Sequence, residues 1–111
     1  MTTLLALFRR PDGGEPALQT FLTRYRSEHL PLIAQTPGLR GMHVQRVREA
    51  LGGETDLVVI TSMEFDNRSA LDAGISSEAM RQAGRNLREI APGLVTLLVL
   101  DEDEVTAPQN D

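Results

Sequence analysis

Few side chains in this 111-residue sequence can move a proton near neutral pH: two histidines, one tyrosine and scattered carboxylates. There is no cysteine, which removes thiolate nucleophiles, disulfides and thiolate-held metals. Every basic side chain is arginine, so a Schiff-base lysine is excluded as well. His29 stands out within Tyr25-Arg-Ser-Glu-His-Leu-Pro-Leu32. It follows Tyr25 by one helical turn and precedes Pro31 by two residues. Such an imidazole is a candidate general base at a carbon beside a carbonyl, and Tyr25 a candidate donor to the resulting enolate. The structural alternative is a histidine that fastens a helix end and a tyrosine that packs in the core with its hydroxyl satisfied. His43 is a third catalytic candidate, or a solvent-facing residue of an edge strand. Ser62, Glu64 and Ile60 share one face of a later strand and are candidate substrate contacts. An ion pair with an arginine is the plainer reading of Glu64. No GxGxxG, P-loop, HExxH or GxSxG motif occurs. Two distant histidines with scattered acids do not form a metal set, and beyond a possible axial histidine nothing points to haem. The expectation is chemistry or binding with no metal and no cofactor.

These residues need elements to hold them. Thr2–Arg9 reads as a strand whose unbroken apolarity suits a central position. A helix follows from Glu15 to about Leu30, with Leu18, Leu22, Tyr25, His29 and Leu32 on one face. Pro31 is expected to bend or end it just after His29 and turn His29 toward a cavity. Leu39–Arg48, of mixed polarity, reads as an edge strand. Asp56–Phe65 reads as a strand with Leu57, Val59, Thr61, Met63 and Phe65 on one face and Val58, Ile60, Ser62 and Glu64 on the other. Asp66 or Asn67 caps a short helix that Gly74 is expected to break. Ser76 or Ser77 starts a longer one, with Met80, Ala83, Leu87 and Ile90 as its apolar stripe. Pro92-Gly93 ends that helix, and Leu94–Leu100 is the last strand.

The order β-α-β-β-α-β predicts an α+β, ferredoxin-like domain over residues 1–101, with a four-stranded antiparallel sheet and both helices on one face. The bare face would expose Val58, Ile60 and their neighbours, so a two-fold homodimer packed sheet against sheet is expected. The net charge of −5 resides in Asp101, Glu102, Asp103, Glu104 and Asp111. The remaining acids and arginines balance, and without a basic face nucleic-acid binding is disfavoured. No apolar run approaches the ~20 residues of a membrane span. The short apolar start does not read as a signal peptide, and the cytoplasm is the expected compartment.

Several segments are similar to the EthD family of dimeric α+β barrels. The most specific is Tyr25-Arg-Ser-Glu-His-Leu-Pro-Leu-Ile-Ala, followed by Thr36-Pro-Gly-Leu-Arg-Gly. Ser62-Met-Glu-Phe-Asp-Asn-Arg-Ser-Ala-Leu and Pro92-Gly-Leu-Val-Thr-Leu-Leu resemble it too. Family members often carry an acid on the third strand; here Ser62 stands at that point, with Glu64 two positions on. The resemblance implies a ferredoxin-like dimer. It also implies kinship with polyketide cyclases, muconolactone isomerases and cofactor-independent monooxygenases, among which a fold does not choose. Two functions remain open: cyclisation, isomerisation or oxygenation of a small hydrophobic or aromatic carbonyl compound, or non-catalytic binding as an accessory to an oxygenase or degradation pathway. Residues 102–111 read as an acidic, disordered tail without apolar partners. Truncation after Asp101 is expected to leave the melting temperature nearly unchanged; a fall of many degrees would show that the tail is docked.

Overall fold

The computed structural model describes residues 1–103, so the expectation for tail residues 104–111 lies outside the described residues. Strand β1 (Thr2–Arg9) is central, as its apolarity predicted. The sheet order is β2-β3-β1-β4, with β2 (Gly41–Arg46), β3 (Leu57–Phe65) and β4 (Val95–Asp101), and every pairing is antiparallel. Helices α1 (Gly14–Arg24), α2 (Leu30–Ile33), α3 (Arg68–Ile75) and α4 (Glu78–Ile90) complete an α+β, ferredoxin-like domain. No helix among the described residues is long and apolar enough to cross a membrane.

The core follows the strand alternation. Leu4, Ala6 and Phe8 of β1 and Val59, Thr61, Met63 and Phe65 of β3 are buried among Leu18, Phe21, Leu22 and Tyr25. The opposite face of β1 and β3 is only half-buried, so β1 is not enclosed on both sides as expected. Val58 also departs from its expected place on the open face. The β1–β3 register slips there, with Phe8 opposite Val59 and Arg9 opposite Leu57, and this bulge leaves Val58 buried with the core. At the far edge, Leu97, Leu98, Val99 and Leu100 of β4 are exposed on both faces. The helices therefore stop short of β4.

Pro31 does not end the first helical segment after His29. The helix widens instead: Tyr25–His29 form a π-helical turn in which the Leu30 N–H donates to the Tyr25 carbonyl five residues back, and α2 continues through Ile33. Proline has no N–H to give the Ser27 carbonyl, and its ring would crowd that carbonyl in an ordinary turn. The inserted residue also shifts the buried face, so Ile33 rather than Leu32 goes deepest.

Gly74 likewise lies inside α3 and does not break it. A Cβ there would meet Phe65 Cε1 at 2.8 Å, Thr36 Cγ2 at 3.1 Å and the Pro37 carbonyl at 3.2 Å. Its role is close approach. Asn67 Oδ1 accepts the Ala70 N–H at 2.8 Å and Ser77 Oγ accepts the Met80 N–H at 3.2 Å, so of the two residues offered for each cap it is the second that caps α3 and α4. Two glycine substitutions should therefore have opposite signs in urea denaturation. Gly74→Ala should cost about 1–3 kcal/mol through overpacking. Gly84→Ala, in α4 where a Cβ meets nothing within 4 Å, should stabilise by about 0.5–1 kcal/mol.

Candidate functional site

A cavity of ≈160 Å³ lies between the covered face of the sheet and the helices. Leu4, Ala6, Phe8 and Met63 form its floor, and Met80, Ala83 and Leu87 of α4 its roof. Ile75 and Leu97, both partly exposed, mark its mouth beside β4. Among the described residues three polar side chains reach it: Tyr25, His29 and Thr61. Among the described residues no Asp, Glu or Arg lines it.

The widened turn supplies two of the three. Tyr25 and His29 stack with ring centroids 5.2 Å apart and planes 25° apart, and Phe8 meets the Tyr25 ring edge-on at 5.0 Å. The Tyr25 hydroxyl is hydrogen-bonded to Thr61 Oγ1. Burial pushes the Tyr25 pKa up to about 12, with the Thr61 hydrogen bond opposing it, so the phenol keeps its proton. His29 is 3% exposed. Burial pushes its pKa down to about 4, partly offset by the hydrogen bond between Nδ1 and Asn86 Oδ1 at 3.2 Å. At neutral pH the imidazole is uncharged. Outside the cavity, Asn86 Nδ2 donates to Glu28 Oε1 at 3.0 Å. Glu28 accepts two hydrogen bonds from Arg24, at 2.7 and 3.0 Å, and these chiefly hold its pKa below the usual carboxylate value.

The six residues singled out in the sequence do not converge. His29 and Tyr25 meet at the cavity, with the imidazole turned inward as expected. Ser62, Glu64 and Ile60 do not share it. They pair with His43, Gly41 and Gln45 of β2 on the sheet face turned away from the helices. There the His43 side chain is 66% exposed and its Nε2 lies 3.8 Å from Glu64 Oε1. Alternation assigns residues to a face, but whether helices cover that face depends on topology. Asn86 and Thr61 were missed. Thr61 was visible as the one hydroxyl on the inward face of β3. Asn86 borders the stripe of Ala83, Leu87 and Ile90, and nothing local in the sequence marks its distant partners.

No protein-family model matches the chain. An uncharacterised 11.0 kDa protein from the thcB–thcC intergenic region of Rhodococcus erythropolis is 24% identical over 92 residues, covering 83% of this chain and 87% of that protein. An EthD family protein from Bacillus halodurans has a similar crystal structure, with a TM-score of 0.83 and 28% identity over 93% of this chain and 99% of that one. A dimeric ferredoxin-like protein of unknown function from Bacteroides fragilis is similar at a TM-score of 0.67 and 19% identity, over 91% and 95% of the two chains. An antibiotic biosynthesis monooxygenase is similar at 0.61 and 18%, over 93% and 99%. The EthD resemblance read from the sequence thus holds in three dimensions.

The state of His29 sets a pH dependence. An unfolded chain protonates this residue near 6.5 and the folded chain only near 4. Between those values the unfolded state binds more protons, so stability should fall as pH drops from 6.5 towards 4 and change no further below that on account of His29. The loss should be on the order of 3 kcal/mol. Urea denaturation across this window should show that slope in the wild type, and His29→Leu should lack its share of it. Parallel profiles for the two proteins would contradict a neutral buried imidazole.

Proposed function

We propose that this EthD-like chain acts as a homodimer whose cavity takes a small, uncharged ring compound bearing a carbonyl group. The observation that carries this reading is the cavity wall itself: apolar side chains on every side, one protonated phenol and one uncharged imidazole. A dry cavity of about 150 Å³ is enough for a benzene ring. Apolar walls bind the ring, and one donor beside one acceptor fixes its orientation. A carboxylate would find no cation there, and its desolvation would go uncompensated.

Binding is the first function of such a site. A second reading, proton abstraction, is favoured by the stacking of Tyr25 against His29, which sets a donor beside an acceptor. His29 would take the proton from the carbon next to the carbonyl as that C–H bond breaks. The electron pair would pass to the carbonyl oxygen, and the Tyr25 O–H, free when Thr61 donates to the phenol oxygen, would stabilise the resulting enolate. With a pKa near 4, His29 is always available to accept a proton but is a weak base, which is why binding is placed first.

The open sheet face supports the homodimer. Leu5, Leu7 and Ile60 are half-buried and Leu98 and Leu100 exposed, and they adjoin one another in the strand register. Two copies packed through this face would remove it from water.

Acetophenone and benzoate, matched in size and differing in charge, test the ligand class by calorimetry. Acetophenone should bind at least about tenfold more tightly. Equal affinity, or binding of neither, would overturn the reading. Exchange of the acetophenone methyl hydrogens in heavy water separates the two functions. Exchange above the buffer rate that His29→Ala abolishes supports abstraction; binding without such exchange supports a binder. Light scattering at micromolar concentration should give a dimer, and Leu98→Arg should weaken it. A well-folded wild-type monomer would remove the sheet-face pairing.

A further inference from the structure

Three residues outside the cavity decide which nitrogen of the His29 imidazole carries its hydrogen. Arg24 donates to both oxygens of Glu28. An ionised carboxylate only accepts hydrogen bonds, so the Asn86 group 3.0 Å from Glu28 must be the amide NH2. The Asn86 carbonyl oxygen is thereby turned to His29 Nδ1, at 3.2 Å. A carbonyl also only accepts, so Nδ1 must carry the imidazole hydrogen and Nε2 must carry the lone pair. The carboxylate at one end leaves each later group a single orientation.

We infer that Glu28 and Asn86 are positioning residues that hold His29 as its Nδ1–H tautomer, so that the cavity prefers ligands that bring a hydrogen to Nε2. This rests on the reading of the cavity as a ligand site, and it narrows the ligand to one with a hydroxyl, an enol or an acidified C–H directed at His29. The plain alternative is that Asn86 and Glu28 only tie α4 to the first helical segment. That tie would contribute to stability but would not select a tautomer.

The test uses the full chain labelled with 15N in its histidines, at neutral pH, with His43→Gln identifying the His29 signals. The wild type should show a pyrrole-type Nδ1 and a pyridine-type Nε2. Asn86→Leu removes the acceptor. Glu28→Gln lets the Asn86 amide turn over and present its NH2 to Nδ1. Both variants should shift His29 towards the Nε2–H tautomer that an unconstrained neutral side chain prefers. Phenol and anisole, which differ in the hydroxyl hydrogen, report the selectivity. Phenol should bind the wild type about tenfold more tightly, and the ratio should collapse in both variants. A wild-type Nε2–H tautomer, or a tautomer unchanged in Glu28→Gln, overturns the positioning role, and neither result depends on Asn86→Leu folding. Tautomers that respond as stated while phenol and anisole bind alike overturn the ligand preference alone. Phenol binding without tautomer control leaves the cavity reading standing and removes the relay.

Discussion

Pro31 brings no N–H to the helix that contains it, and its ring has no room against an unshifted Ser27 carbonyl. The chain meets both constraints with one wide turn, closed by the Leu30 N–H on the Tyr25 carbonyl. From that turn come the stacked Tyr25 and His29, and also Glu28, which faces the helix exterior between them and reaches across to Asn86 of α4. The turn is anchored on both flanks: Phe8 and Phe21 pack on Tyr25 before it, and Ile33 is buried after it. The site is thus carried by a helix fixed to the sheet and not by a loop, which suits a cavity whose polar groups must hold their directions.

Charge is sorted sharply across this helix. Arg24, Glu28 and Glu89 form ion pairs at its rim, part-exposed, where solvent screens them and each pair contributes little. Inside are a phenol that keeps its proton and an imidazole that does not gain one. Asn86 joins the two zones without carrying charge inward. An aspartate in its place would favour an imidazolium; an amide conveys orientation alone. The interior therefore stays neutral, which is the condition under which apolar walls, and not ion pairing, select what enters.

Much of this was legible in the sequence because it rests on local periodicity. The alternation along 57–65, the cap at Asn67, the stripe of α4 and the Tyr25–His29 spacing each express one helix or strand period. What was not legible depends on contacts between distant segments. Gly74 read as a helix breaker, but it is where α3 approaches Phe65 and Thr36. Val58 read as an open-face residue until the β1–β3 register showed a bulge. Ser62 and Glu64 stood on the correct strand face, but the helices cover the other one. Asn86 matters through partners fifty-seven and fifty-eight positions away, a pairing that no window of sequence displays.

On the proposed reading the ligand enters the neutral cavity beside His29, and not the polar patch of His43, Ser62 and Glu64 at the β2 edge of the open sheet face. Anomalous diffraction from crystals soaked in para-bromophenol tests this most directly, because the bromine marks its own position. A bromine peak is expected among Met80, Leu87 and Ile75, with the phenolic oxygen directed at His29 Nε2. A peak only on the sheet face near His43 and Glu64, or a cavity left empty at saturating ligand, would contradict it.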